Sequence, residues 1–173
     1  MRDMAIVKAS YTKRGNGAKA AIRYIQHRAG KDGERRTRTL FGSNGAIGRQ
    51  DAYRMIDEAE KGSVFFRFVV SPDPKGEDSE KDLRLREVTE HTMLSLEDRL
   101  HQAVSWVAVE HADHAPHRHV HVVVVVRGRL NVQDFQALRQ RATEVCLEQR
   151  QELDLMREQQ AREREEAAWE RSI

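Results

Sequence analysis

The stretch that decides the fold is HADHAPHRHVHVVVVV, residues 111–126. Five of the chain's eight histidines fall in its first eleven positions, and five consecutive valines follow. RHVHVVVVV (118–126) reads as a strand, and AVSWVAV (103–109) as another just before it. The short connection between them suits an antiparallel hairpin. Side chains alternate between the faces of a strand. His117, His119 and His121 therefore share one face, and Val120, Val122 and Val124 the other. Two imidazoles two residues apart on a rigid strand lie close enough to share a metal ion. His111, at the end of the neighbouring strand, offers a third nitrogen. His117 has the right face but sits at the strand's edge. Imidazole suits Zn, Mn, Fe, Ni or Cu, and three neutral nitrogens leave coordination positions open, as catalytic sites require. Asp113 or Glu110 is placed to accept the second ring N–H of a ligand and orient it. His27, His91 and His101 read as ordinary surface histidines.

Outward from this hairpin the periodicities are clear. AIVKASY (5–11) predicts a first strand. AKAAIRYIQHR (18–28) predicts a helix with Ala18, Ala21, Ile22 and Ile25 on one face. Residues 29–49 form a long glycine-rich basic loop, with a short strand at RTLF (38–41). QDAYRMIDEAEK (50–61) is a helix and SVFFRFVVS (63–71) a buried strand. SPDPKGED (71–78) is a turn. Ser79 with Asp82 resembles a capping box for a helix running to about Leu100. A last helix starts near Asp134, with Phe135, Leu138, Ala142 and Val145 inward. The expected class is α+β: a central antiparallel β-sheet flanked by helices, as one domain over 1–156. Residues 157–173 are a charged tail, helical or frayed.

Charge narrows the partners. Residues 1–40 carry eleven Lys and Arg against three acids, a net +8 inside a chain whose total is +2. Such a concentration attracts polyanions, above all nucleic acid. One cysteine excludes an internal disulfide, and no apolar run approaches membrane-spanning length. MRDMAIVKASYTKRG lacks the features of a signal peptide. Cytoplasmic localisation and no membrane partner are therefore expected.

The combined motifs resemble a known family. HAD followed by PHRHVHVVV is similar to the third motif of plasmid relaxases, the mobilisation nucleases of the HUH endonuclease superfamily. WVAVEH (106–111) resembles the strand leading into it, and FRFVVSPDP (66–74) the second motif, a strand ending in Ser-Pro. AAIRYIQHRAGK (20–31) resembles the first motif, a helix bearing the nucleophilic tyrosine, and 126–144 the segment after the histidines. The resemblance implies strand-specific nicking at a plasmid transfer origin, with a 5′-phosphotyrosine adduct and a free 3′-OH. It implies the histidine strands at the middle of the sheet and a divalent metal, Mg or Mn before Zn, Ni or Co. By position it assigns His111, His119 and His121 as ligands; the histidine-rich loop also offers His114 or His117 to replace or assist His111, and Asp113 stays the residue placed by its chemistry to orient a ligand. Tyr24 is the nucleophile, with Tyr11 as runner-up, and Ser71 a DNA-positioning hydroxyl. Lys13, Arg14, Lys19, Arg23, Arg28, Arg35, Arg36 and Arg38 are the expected DNA-backbone contacts. Single-stranded origin DNA is the expected partner, with accessory DNA-binding or transfer proteins. Alternative functions are a rolling-circle replication initiator of the same superfamily and a non-cleaving single-stranded DNA-binding accessory protein. Large family members continue into a helicase, primase or interaction region, whereas this sequence has 173 residues.

The chemistry is consistent with that assignment. Tyrosine, with a reference pKa of about 10, is a poor nucleophile at neutral pH unless a nearby cation or base activates it. Basic residues surround Tyr24 on its helix, with Arg28 one turn away. Tyr53 sits near acids on another helix and matches no motif.

Overall fold

The computed structural model describes residues 5–112 and 117–173. Strands β1 (Ile6–Thr12), β2 (Leu40–Gly42), β3 (Gly45–Ile47), β4 (Ser63–Ser71), β5 (Ser105–His111) and β6 (His119–Arg127) form one sheet in the order β1-β4-β6-β5-β2-β3. Every pairing is antiparallel. Helices α1 (Gly15–His27), α2 (Arg49–Asp57), α3 (Leu85–Leu100) and α4 (Val132–Glu170) complete an α+β fold. The two histidine-bearing strands occupy the centre of the sheet, as expected.

Both faces of the sheet are covered, which is why β6 reads as an unbroken valine run rather than an alternation. Val120, Val122, Val124 and Val126 pack with Phe66, Phe68, α3 and α4. Val107, Val109, Val123 and Phe65 pack under α1 and α2 on the opposite face. Alternation therefore puts His111, His119 and His121 on the α1/α2 face.

Several boundaries differ from the sequence reading. β2 pairs with β3, a second short strand that the glycine-rich loop concealed. Gly45, at φ +95°, makes the tight turn between them. Helix α2 stops at Asp57, four residues before Lys61. Ser79 and Asp82 form no capping box: α3 begins at Leu85, without a side-chain cap. Asp82 instead pairs with Arg150 at 2.6 Å and Arg157 at 2.8 Å, fastening α4 to the 72–84 loop. The capping box is at α4, where Asn131 and Asp134 bond each other's backbone N–H groups. Helix α4 is continuous to Glu170, and almost all of it beyond Leu153 is exposed. Its last fourteen residues extend about 20 Å and include spaced side-chain pairs such as Gln159 with Glu163.

The 72–84 loop is also tied to the start of β6. Arg118 donates to both Asp78 oxygens at 2.7 and 3.0 Å, to the Leu83 carbonyl at 3.0 Å and to Glu110 at 3.4 Å. Its side chain leaves β6 on the face opposite His119. The clamp thus holds the strand end without entering the histidine face.

Beside this clamp lies Glu77, fully buried. Its Oε1 accepts from the Asp73 backbone at 2.7 Å. Burial, reinforced by the Asp73 charge and opposed by that backbone bond, pushes its carboxyl up to about 7. A folded-state pKa above the unfolded one means the native state binds more protons between about 4.5 and 7. Glu77 therefore costs stability progressively as pH rises through that window, about 3 kcal/mol in all. Glu77→Gln keeps the acceptor for Asp73 and removes the charge. The variant is expected to unfold at higher urea than the parent at pH 8, with the difference shrinking or reversing at pH 4.5; equilibrium denaturation at the two pH values measures it.

Candidate metal centre

The hairpin register brings the three histidines together. His111 and His119 are direct cross-strand partners on β5 and β6, and Val109 faces His121. The ring centroids lie 5.3 Å apart for His111–His119, 4.5 Å for His111–His121 and 5.0 Å for His119–His121. One nitrogen from each falls within 4.8 Å of the others, so the group could hold a metal ion. The Nε2 atoms of His119 and His121 are 3.2 Å apart. With metal–nitrogen bonds of about 2.0–2.1 Å, ligand nitrogens lie about 3.0 Å apart at an octahedral right angle and about 3.4 Å apart at a tetrahedral angle. The observed pair falls between, so both nitrogens reach one ion.

Orientation comes from a backbone group. A helix leaves its last four carbonyls without intrahelical partners. In α1 these belong to Tyr24, Ile25, Gln26 and His27. The Ile25 carbonyl lies 2.6 Å from His111 Nε2 in a fully buried contact. A carbonyl only accepts, so Nε2 carries the proton and the lone pair is on Nδ1. Fixing a ligand's tautomer through its second nitrogen is how metal histidines are tuned. Glu110 does not do this: it points to the other face and pairs with Arg118. Asp113 and His114 lie outside the described residues. The Ile25 carbonyl is invisible to motif reading, because every helix end offers such a group.

The surroundings keep His121 neutral. Burial first, then His111, His119, Arg28 and Arg67, lowers its pKa to about 3. A neutral imidazole offers its lone pair at physiological pH. The permanently charged members of that set, Arg28 and Arg67, are both cations. Arg28 was expected from the basic segment. Arg67, in the middle of the apolar strand SVFFRFVVS, was not.

Tyr24 immediately precedes Ile25 on α1 and is 53% exposed. The Arg28 guanidinium stands 5.8 Å from its ring centroid. On the helical circuit Tyr24 and Arg28 flank the buried stripe on the side opposite Lys19. Lys19 pairs with Asp57 of α2 at 2.6 Å, so the Tyr24 flank faces away from α2. A groove there is lined by Arg23, Tyr24, His27, Arg28, Arg35 and Thr37. Tyr11 is elsewhere. Its ring packs 5.8 Å from Phe66, on the α3/α4 face of the sheet, opposite the histidines.

The remaining predicted residues divide. Ser71 is buried at the end of β4, one residue beyond the Val70–Val120 pair. It is thus level with His119 and on the same face. His117 has its ring 6.3 Å from that of His119 but is outside the three-histidine group. Arg23, Arg28 and Arg35 line the Tyr24 groove. Lys19 is spent on Asp57, Arg36 bonds Asp32 at 2.8 Å, and Arg38 bonds the Arg28 carbonyl at 2.7 Å. Lys13 lies beside Tyr11 on the far face, and Arg14 precedes α1. His27 is more than a surface histidine: Arg49 lies 3.1 Å from its Nε2 and Thr37 lies 3.3 Å from Nδ1, joining α1, the loop and α2.

No family model, curated protein or solved structure matches the chain.

His119→Ala and His121→Ala are each expected to weaken Mn²⁺ or Ni²⁺ binding by more than about 100-fold, beyond the loss seen for outer-shell partners. His91→Ala should leave it unchanged. Titration calorimetry on variants whose far-UV dichroism matches the parent checks this; a His119 variant with parental affinity would relocate the site.

Proposed function

We propose that the chain nicks single-stranded DNA by metal-dependent tyrosine transesterification, as a relaxase acting at a plasmid transfer origin. The observation that carries this reading is the junction of α1 with the histidine cluster. The helix end that bonds His111 also bears an accessible tyrosine and an arginine whose charge reaches His121.

His111, His119 and His121 would hold the ion, which as a Lewis acid would supply positive charge to the scissile phosphate. All-nitrogen donors suit Mn, Co, Ni or Zn better than Mg, which prefers oxygen ligands. Among the metals expected, Mn fits both the donor set and phosphate chemistry. Neutral ligands leave the ion's charge uncompensated, so the site attracts an anion.

The Tyr24 phenolic oxygen attacks phosphorus, and the phenolic proton is lost. The new O–P bond replaces the bond to O3′, which takes up a proton and departs as a free 3′-OH. The phosphodiester is exchanged, not hydrolysed, so the 5′ end stays on the protein. Arg28 stabilises the phenolate as it forms, and its aliphatic stem supports the ring. Arg23 and Arg35 hold the DNA backbone in the groove beside Tyr24. Ser71, level with His119, donates to a backbone oxygen. Tyr11 has no part in the reaction, because the sheet lies between it and the histidines.

Tyr24→Phe keeps the ring and the surrounding charges. It is expected to bind a labelled origin oligonucleotide within about 3-fold of the parent while forming no covalent adduct with Mn²⁺. Tyr11→Phe should form the adduct at the parental rate. A denaturing gel reads both, and peptide mapping that placed the nucleotide on Tyr11 would refute the assignment. A parent protein that binds the strand tightly and forms no adduct would be a non-cleaving DNA-binding protein.

A further inference from the structure

Several arginines that fold against the protein are neutralised by carboxylates. Arg118 has Asp78 and Glu110, Arg150 has Asp82 and Asp154, and the half-exposed Arg99 has Asp134. Arg67, like Arg28, has no such partner among the described residues. It is half-buried on β4, next to the edge strand β1, yet its side chain makes no ion pair or hydrogen bond among the described residues. Holding a guanidinium partly out of water without a counter-ion is costly. Such a residue is retained where an anion arrives.

Its placement says where. Arg67 pairs with Ser10 on one side and Val123 on the other, and Val69 pairs with Lys8 and His121. Arg67 is therefore diagonal to His121 on the same face, a separation that long side chains span. Across this face the cover thins steadily. Val109 and Val123 are buried under the helices, Arg67 and Val69 are half-buried, and Lys8 and Ser10 on β1 are exposed. The helical roof thus stops near β4. An open strip of sheet leads from the histidines past Arg67 to Lys8, lined by cations and a hydroxyl.

We propose that Arg67 is a phosphate-binding residue of the metal centre: its guanidinium contacts a non-bridging oxygen of the phosphodiester docked at the three histidines, and the strip past Lys8 and Ser10 carries the adjoining nucleotide. The inference rests on the nicking reading and adds to it a residue to which the resemblance gave no role. Arginine suits the task because its planar fork meets two phosphate oxygens at once. Here the β6 histidines and Arg67 of β4 would meet the phosphate from neighbouring strands. Tyr24 and Arg28 come from the helix above.

The arrangement makes the two affinities of one variant move in opposite directions. Arg67 repels a cation at His121 and attracts a phosphate beside it. Arg67→Gln in the full chain is expected to bind Mn²⁺ as tightly as the parent, or up to several-fold tighter. Its affinity for a fluorescein-labelled single-stranded oligonucleotide, with Mn²⁺ present, should fall at least about 10-fold. The log–log salt slope should become shallower by about 0.7, the value of one phosphate contact on a single strand. Arg67→Lys should keep the slope but bind more weakly, having lost the fork. If Arg67→Gln loses Mn²⁺ affinity in step with DNA affinity, the residue merely supports the strand and the inference is overturned. An unchanged salt slope overturns it too. Failure of the nicking reading looks different: the parent forms no adduct with an origin strand, whatever Arg67→Gln does to the salt slope.

Discussion

The pairing of β5 with β6 is the constraint on which the rest of the site depends. His111 and His119 face each other across that ladder, and His121 follows two residues along on the same face. A slip of one residue would turn every side chain of β6 to the other face. Arg118 would then enter the histidine face, and His119 and His121 would enter the core around Phe68. Unlike side chains at adjacent positions therefore pin the register. Arg118 is held by Asp78 on one face while His119 meets its partners on the other. The bond from His111 to the Ile25 carbonyl extends the same constraint to α1. Sheet register, helix position and ligand tautomer are thus set together.

Much of this was legible in the sequence because it depends only on alternation. Two-residue periodicity puts His119 and His121 on one face whatever the surroundings. The valine run likewise announces a strand covered on both sides. The apolar stripes of α1 and α4 are local patterns of the same kind. What escaped the reading was non-local. Asp82 looked like part of a capping box because its true partners, Arg150 and Arg157, lie about seventy positions away. The strand at Gly45–Ile47 carries too few apolar residues to announce itself and exists through its turn with β2. The lysines and arginines of 1–40 looked like one uniform patch, yet Lys19, Arg36 and Arg38 are committed to holding the fold. Charge counting cannot separate a cation that secures a loop from one that awaits a ligand.

Coverage of the sheet explains why the site sits where it does. The face beneath α1 and α2 is sealed over β5 and the middle of β6, where Val107, Val109 and Val123 are buried. Toward β1 the cover is lost, and the residues become polar and then exposed. The histidines lie at that border, at the end of the sheet nearest the C-terminus of α1. His111 is enclosed and His121 only half so. A metal centre must exclude competing polar groups around its ligands while leaving a way in for substrate. A border between sealed and open sheet provides both. On this reading Tyr11, which is more exposed than Tyr24, is excluded by the sheet rather than by its own chemistry.

The electrostatics of that border set what can bind there. Burial and the neighbouring cations hold His121 neutral and oppose a further positive charge beside it. An ion placed there would be held by the imidazole lone pairs and their geometry. Its positive charge would then be left for an anion to neutralise. A carboxylate among the ligands would have strengthened metal binding and weakened the pull on an anion. The donor set chosen here does the reverse. Together with Arg28 and Arg67, which find no carboxylate among the described residues, it would favour an anionic ligand. The phosphodiester of the proposed reaction would meet that preference, its single negative charge spread over two oxygens that an ion and a guanidinium could share.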